Sequence, residues 1–128
     1  MSAASLRARY MGDAVTTASP QRLLVMLYDR LALDLERGQA ALFAGDRTAA
    51  NEQLQHAQDI VIELRSSLKV EVWEGGPRLA ALYSWLLSEL IAANVKGDAN
   101  RVSSCRQVVE PLRDAWRQAA ISLATGSS

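Results

Sequence analysis

Residues 17–29, TASPQRLLVMLYD, decide how the first half of the chain folds. Ser19 followed by Pro20 predicts a helix start, because a serine hydroxyl can accept a hydrogen bond from a free N–H of the first turn and proline has no N–H to leave unpaired there. Behind them, apolar residues recur at the i, i+3, i+4, i+7 spacing of one helical face. That face consists of Leu24, Leu27, Tyr28, Leu31 and Leu35. The stretch therefore predicts an amphipathic helix from Pro20 to about residue 44.

Two glycine–aspartate pairs divide the rest of the chain into helices. Gly45 and Gly97 each end an apolar pattern, and Asp46 and Asp98 directly after them are residues that cap a helix start. We expect the further helices at about residues 47–68, 77–94 and 99–123. Their apolar stripes are Ala50, Leu54, Ala57, Val61, Leu64 and Leu68, then Leu79, Leu82, Tyr83, Leu86 and Leu90, then Val102, Cys105, Val109, Leu112, Trp116, Ala119 and Leu123. Short connections require antiparallel neighbours, so the sequence predicts an all-α, up-down-up-down four-helix bundle over residues 19–124.

The two ends of the chain and one proline lie outside this simple pattern. Residues 1–18 form a short leader in which Leu6 and Tyr10, four residues apart, can share a helical face. The leader is either a frayed end or a segment that docks against the bundle. Residues 125–128 are small and polar, which predicts a mobile tail. Pro111 lies inside the fourth apolar pattern without shifting its phase, so we expect one kinked helix rather than two.

Composition limits the classes of protein to which the chain can belong. Its 128 residues suit one domain, and 49% of them are apolar, the usual share in a globular protein. The formal net charge is +0, so no electrostatic attraction to nucleic acid or to an anionic membrane is expected. No apolar run approaches the ~18 residues that suggest a membrane span, and the first residues show no signal-peptide pattern. A single cysteine allows no internal disulfide, which fits a cytosolic protein.

Histidine and cysteine, which often carry catalysis or bind metals, are nearly absent. His56 is the only histidine, whereas a di-metal site in a bundle needs two Glu-x-x-His motifs and two further glutamates. Its neighbours match no phosphotransfer signature, so a polar surface residue is the favoured interpretation of His56. Cys105 falls on the predicted core stripe, where a small buried hydrophobe is expected. We therefore expect no catalytic, cofactor or metal site and no enzymatic activity.

The predicted helices carry more apolar residues than one bundle core needs. The apolar residues of the third helix spread over roughly 220°, whereas a surface helix needs a stripe only a little over 100° wide. The surplus residues are Met26 and Leu33 in the first helix, Ile60 and Ile62 in the second, and Leu87 and Ile91 in the third. Three explanations stay open: a centrally packed helix, a homodimer interface, or a groove for partner helices.

Several motifs resemble those of one protein family. The N-terminal signature of the FliS flagellin export chaperones is similar to this chain at Tyr10, Val15, TASP (17–20), LL (23–24) and MLYD (26–29). Gly75-Gly76 followed by LAALY (79–83) resembles the family's glycine-led third helix. The run LRDAW (112–116) resembles the ending of its fourth helix. The resemblance extends from about residue 10 to residue 116, nearly the whole predicted domain.

This resemblance implies a cytosolic bundle that binds the C-terminal segment of flagellin, blocks its premature polymerisation and presents it to the flagellar type III export apparatus. It also suggests that the leader near Tyr10 touches the client-binding surface, and we expect Leu6 and Tyr10 to cover part of a groove in the free protein. The expected client-binding residues are Leu6, Tyr10, Met26, Leu33, Ile60, Ile62, Leu87 and Ile91. Charge reversal at scattered surface arginines such as Arg47 is expected to matter little for client binding. The alternative is a structural homodimerising bundle or a chaperone of another secreted client.

Overall fold

The structure is a computed structural model and describes residues 20–68 and 75–124. Four helices make up nearly all of these residues. They are α1 (Pro20–Phe43), α2 (Arg47–Ser67), α3 (Gly76–Lys96) and α4 (Ala99–Ala124). Every predicted helix boundary lies within two residues of the observed one, and these residues contain no strand. Helices α1 and α3 each pack against both α2 and α4, so the four helices form a ring in chain order. The predicted all-α, antiparallel four-helix bundle is confirmed.

The turns from α1 to α2 and from α3 to α4 are tight for a local chemical reason. Gly45 and Gly97 adopt φ angles of 75° and 65°, a left-handed conformation that costs glycine little. The Asp46 carboxylate then accepts a hydrogen bond from the N–H of Ala49 at 3.0 Å. Asp98 accepts one from the N–H two residues ahead at the same distance of 3.0 Å. The glycine–aspartate pairs therefore end and start these helices as predicted.

The core is built from the inward stripes of all four helices. Leu31 of α1, Leu54 of α2 and Val109 of α4 are fully buried, in agreement with the predicted stripes. Near the centre, the hydroxyls of Tyr28 and Tyr83 share a hydrogen bond of 2.7 Å that joins α1 to α3. Burial raises the pKa of both tyrosine hydroxyls, so both stay protonated and the bond persists at neutral pH.

A buried polar cluster between α1 and α2 corrects the interpretation of His56 as a surface residue. The His56 side chain is only 13% exposed, and its Nδ1 hydrogen-bonds Oδ2 of Asp34, which is fully buried. The Nε of Arg30 lies 3.0 Å from the other oxygen of that carboxylate. Burial raises the pKa of Asp34, although both neighbours act to lower it. His56 thus has a structural role, because it gives a buried carboxylate a partner on the adjacent helix.

Arg47 is exposed, as the sequence suggested, and it makes specific contacts with the end of α3. Its Nη2 donates hydrogen bonds to the carbonyl oxygens of Asn94 at 2.9 Å and Val95 at 3.2 Å, in the last turn of α3. A Cβ placed on Gly97 would come within 2.5 Å of the Arg47 guanidinium, so the glycine makes room for this contact. Arg47 therefore ties the start of α2 to the end of α3 and interacts favourably with the negative end of the α3 dipole.

Two predictions about α4 can be compared with the structure. Cys105 is fully buried, as expected, and its burial, together with the charge of Glu89, raises the pKa of the thiol to about 12. Helix α4 continues through Pro111, so the expectation of one helix rather than two is confirmed. The expected kink at Pro111 stays a prediction.

Some predictions concern residues outside the described ranges and stay predictions. They are the leader of residues 1–18 with Leu6 and Tyr10, the Ser19 helix cap and the tail of residues 125–128. Across the ranges that are described, no helix is both long enough and apolar enough to cross a membrane.

Candidate functional site

Helix α3 has the composition of a buried helix but lies at the surface. Between Arg78 and Lys96 its only charged residue is Glu89, which pairs with Arg101 of α4 at 3.2 Å. A surface helix normally presents a charged or polar face to water, opposite the face that packs on the core. The exposed side of α3 instead carries the large apolar residues Trp85, Ile91 and Val95, which are 39%, 46% and 73% exposed. The composition of α3 therefore indicates that part of its exposed surface is a contact surface.

An apolar groove runs between the first half of α3 and the second half of α4, and we call it the α3–α4 groove. Its volume is about 380 Å³, within the usual range of ~300–1,000 Å³ for pockets that bind small ligands. The lining residues are Gly75, Arg78, Leu79, Leu82, Leu112, Ala115, Trp116 and Ala119. Of these side chains only that of Arg78 is charged, so the groove is suited to apolar groups.

The groove exists because two adjacent helices do not close on each other. Helices α3 and α4 pack together less extensively than the other three neighbouring pairs of the ring. On α4, Ala115 and Ala119 lie one turn apart and both line the groove, where a larger side chain would fill the space. Trp116 also lines the groove and contacts Tyr28 with ring centroids 6.2 Å apart, so an occupant of the groove would lie next to the aromatic core.

Three predicted client-binding residues lie together on the face shared by α2 and α3. The side-chain amide of Asn94 donates to Oδ1 of Asn51 at 2.8 Å, which marks the sides of the two helices that meet. Leu87 lies about two turns before Asn94, and Ile62 lies about three turns after Asn51, so each shares a side with its asparagine. Ile91 lies slightly further out and is 46% exposed. We call Ile62, Leu87 and Ile91 the α2–α3 face.

The other predicted residues do not join this face. Met26 and Leu33 are half-buried and lie on the outer side of α1, well round the helix from the fully buried Leu31. Ile60 is fully buried in the core, so the expectation that it lies outside the core is wrong. It is buried because α2 packs against both α1 and α3, which widens the arc of α2 that is covered. Leu6 lies outside the described residues, as does Tyr10.

The groove itself was missed at the sequence level. Leu82, Leu112 and Trp116 were assigned to the core stripes, and all three do pack partly against the core. They also line the α3–α4 groove, because none of the three is fully buried by the core. Ala115 lies beside the predicted stripe, and Ala119 was assigned to the stripe but is exposed. These two small residues were the available signal, because small side chains leave room for a partner.

The surfaces on the two flanks of α3 are mainly apolar. Within the described ranges, no group of three or more histidine, cysteine, aspartate or glutamate side chains is placed to hold a metal ion. The buried carboxylate of Asp34 is occupied by His56 and Arg30. What the molecule offers around α3 is apolar surface on both flanks, at the groove and at the α2–α3 face.

The chain is similar to known proteins of one family. The family model described as flagellar protein FliS matches residues 2–123. The flagellar secretion chaperone FliS of Bacillus subtilis is 32% identical over 110 residues, which cover 86% of this chain and 82% of that protein. The flagellar secretion chaperone FliS of Salmonella typhimurium is also 32% identical, with 83% of this chain and 80% of that protein covered.

A solved structure has the same fold. It is described as the crystal structure of a flagellar chaperone from bacteria, and it superposes with a TM-score of 0.74 over 92% of this chain and 97% of that chain, at 21% sequence identity. The match to the family model covers nearly all of the four helices, including the parts of α3 and α4 that line the groove. The chain belongs to the FliS family of flagellar secretion chaperones.

Proposed function

We propose that this protein is a cytosolic export chaperone that binds the C-terminal helical segment of flagellin. It prevents premature polymerisation of that segment and delivers it to the flagellar type III export apparatus, with no catalytic step of its own. Membership of the family supports the proposal, as does the resemblance of residues 17–29 to its N-terminal signature. The single observation that carries it is α3, a nearly uncharged surface helix beside an open apolar groove.

The energetics of such binding follow from the groove. An unfolded client segment that becomes helical loses conformational entropy of about 1–2 kcal/mol per ordered residue. Burial of its apolar face returns about 25 cal/mol for each Å² removed from water, so a client needs a long apolar contact to bind well. A groove lined by Leu82, Leu112 and Trp116 supplies such contact, in the manner of other proteins that hold an amphipathic helix in a groove.

The α2–α3 face is a second part of the proposed client surface. Ile62 and Leu87 are half-buried and Ile91 is exposed, so a client could cover them without disrupting the core. We also include Met26 and Leu33, on the outer side of α1, as candidate client contacts. Each should contribute a smaller contact area, since both side chains are only partly exposed.

The leader is proposed to compete with the client. Leu6 and Tyr10 would cover part of the groove in the free protein, and the client would displace them. A cover that is in place nine-tenths of the time lowers the apparent affinity about tenfold. Deletion of residues 2–11 should therefore tighten client binding and increase self-association of the free protein. If Tyr10 instead contacts the client directly, Tyr10→Ala weakens binding; if neither change has an effect, the leader has no such role.

The proposal is tested by titrating a flagellin C-terminal peptide into the protein in a calorimeter, with size-exclusion chromatography of the mixture. We expect a complex and a negative heat-capacity change, which is the mark of apolar burial. Leu87→Asp and Ile91→Asp should weaken binding while the helical content is retained. Phe43→Asp is the matched control, because Phe43 is 72% exposed and lies on α1. Absence of any complex with folded protein and intact peptide would refute the proposal.

A structural homodimer is the second candidate function, and the exposed apolar side of α3 is the observation that favours it. Light scattering of the free protein over a range of concentrations separates the two. A dimer that persists at low concentration and binds no peptide supports the homodimer, whereas a monomer that binds the peptide supports the chaperone. A chaperone of another secreted client would form no dimer and no complex with the flagellin peptide.

A further inference from the structure

The second half of α4 is attached to the bundle less firmly than the first half. In the first half, Val102, Cys105 and Val109 are fully buried. None of the residues from 110 to 122 is fully buried. We call residues 110–124 the terminal arm. Because fully buried apolar side chains contribute most to holding a helix on a core, the terminal arm is held by weaker, partial contacts.

The contacts that link the terminal arm to α1 lie near the surface. Trp116 is half-buried, and its ring centroid lies 6.2 Å from that of Tyr28. Arg117 pairs with Asp29 at 2.6 Å, with side chains that are 49% and 43% exposed. An ion pair that is this exposed stabilises little, because water and salt screen it. On its other side the arm faces α3, and α3 and α4 pack together less extensively than the other neighbouring pairs.

Pro111 weakens the helix where the terminal arm begins. Proline has no N–H, so the carbonyl of Gln107 loses its usual partner four residues ahead in α4. Proline also disfavours the helical conformation of the residue before it, which is Glu110. Both effects destabilise the arm while it is helical, and both end when residues 110–124 leave the helix. The weakest point of α4 therefore coincides with the end of its firmly packed half.

The rest of the bundle keeps its core without the terminal arm. Every fully buried residue of α4 for which burial is described precedes the arm, and the last of them is Val109. Helices α1 and α3 are joined by the hydrogen bond of 2.7 Å between the hydroxyls of Tyr28 and Tyr83, which does not involve α4. Loss of the arm thus removes partial contacts and leaves the central packing in place.

We propose that the terminal arm detaches from the bundle as one unit at Pro111, while the first half of α4 and the other three helices stay folded. An isolated helix of ~15 residues is only marginally stable in water, so the detached arm also loses its backbone hydrogen bonds. Four residues of the arm form the α4 wall of the α3–α4 groove, and detachment removes that wall. They are Leu112, Ala115, Trp116 and Ala119.

A removable wall changes what the groove can hold. The volume of the closed groove is about 380 Å³. Two turns of a helix occupy ~850 Å³, so the closed groove can enclose side chains of a partner but not a helix. Detachment of the arm leaves room for the helix itself. This last step rests on the proposed function, whereas the detachment concerns the protein alone.

Hydrogen exchange of the full chain, followed for each backbone amide by NMR at several low urea concentrations, tests the detachment. We expect the amides of residues 112–120 to share one opening equilibrium and to exchange faster than those of residues 105–109. Their rates should depend only weakly on urea, because detachment of the arm exposes much less surface than global unfolding. Amides of the first half should instead follow global unfolding.

Pro111→Ala tests whether the proline sets the boundary of the arm. We expect this change to slow exchange of residues 112–120 at least about tenfold, because proline is far less favourable than alanine inside a helix. Ser104→Ala is the matched control, since Ser104 is exposed in the first half of α4. The control should change exchange in the arm by less than about twofold.

Three results would overturn the inference. Protection that falls steadily from residue 112 to residue 120 identifies fraying from the end of the helix rather than detachment as a unit. Exchange of the arm with the same rates and urea dependence as the first half shows that the arm opens only on global unfolding. Exchange in Pro111→Ala that equals that of the unmodified protein shows that the proline sets no boundary. No client is present in these measurements, so each result leaves the proposed function intact.

Discussion

Replacing Ala115 with tryptophan should block the α3–α4 groove while the bundle stays folded. Ala115 is exposed and lines the groove, so the indole would extend into the space of about 380 Å³ that the client is proposed to enter. Full burial of one leucine- or phenylalanine-sized side chain is worth about 1.5–3 kcal/mol. If the client loses one such contact, the affinity should fall about 10- to 150-fold, since ~1.4 kcal/mol corresponds to a factor of ten. The stability cost should be small, because tryptophan is only about half a kcal/mol less favourable than alanine in an exposed helix.

The assay is calorimetric titration with the flagellin C-terminal peptide, accompanied by a thermal melt of each variant. Gln107→Trp is the matched control, because Gln107 is exposed on the same helix about two turns earlier and does not line the groove. The control should bind like the unmodified protein. Binding of Ala115→Trp within about twofold of the unmodified protein, with a normal melt, would show that the groove is not the client site.

Three further predictions concern the contacts that hold the bundle together. Arg47→Glu should lower the free energy of unfolding in urea by about 1–2 kcal/mol, because the last carbonyls of α3 lose their donor and face a negative charge; an unchanged urea midpoint would contradict this. The losses in the free energy of unfolding caused by Gly38→Ala and Leu54→Ala should not add, because a Cβ on Gly38 would lie 2.9 Å from Leu54 Cδ2. The double variant should be at least ~1 kcal/mol more stable than the sum of the two single losses predicts. Because burial raises the pKa of Asp34, its protonation contributes stability that is fully present below pH 3.8, the ordinary pKa, and is lost as the pH rises through the raised pKa. The urea midpoint should therefore fall over this pH range. Asp34→Asn should remove that fall.

Helix boundaries could be predicted because they depend on neighbours in sequence. A glycine that takes a positive φ and an aspartate that accepts an N–H three residues ahead act within a single turn, as at Gly45 and Asp46. The core stripes could be predicted for a similar reason, since periodicity alone places Leu27, Leu31 and Leu35 on one side of α1. Antiparallel order followed from the short connections.

Features that depend on the distance between helices could not be predicted. From the periodicity of α2, Ile60 and Ile62 are both apolar residues beyond the core stripe, with nothing to distinguish them. Only Ile60 is fully buried, because α2 lies between α1 and α3. The partner of His56 is Asp34, which is 22 residues away on another helix, and nothing local marks the pair. The groove depends on how far α3 stands from α4, so Trp116 could be assigned to the core but not to a groove.

The two sides of α3 have different roles, which explains how one helix can both stabilise the fold and bind a partner. Leu86 and Leu90 are fully buried and the Tyr83 hydroxyl is bonded to that of Tyr28, so the inner side of α3 holds it in place whether or not a client is present. On the exposed side of α3, Ser84, Ser88 and the 73% exposed Val95 contribute little to that packing. A formal net charge of +0 also gives the chain little repulsion between copies that would offset an exposed apolar face. Ser84 and Ser88 limit the apolar area on the exposed side of α3 without introducing charge, so the free protein exposes less surface on which copies could associate.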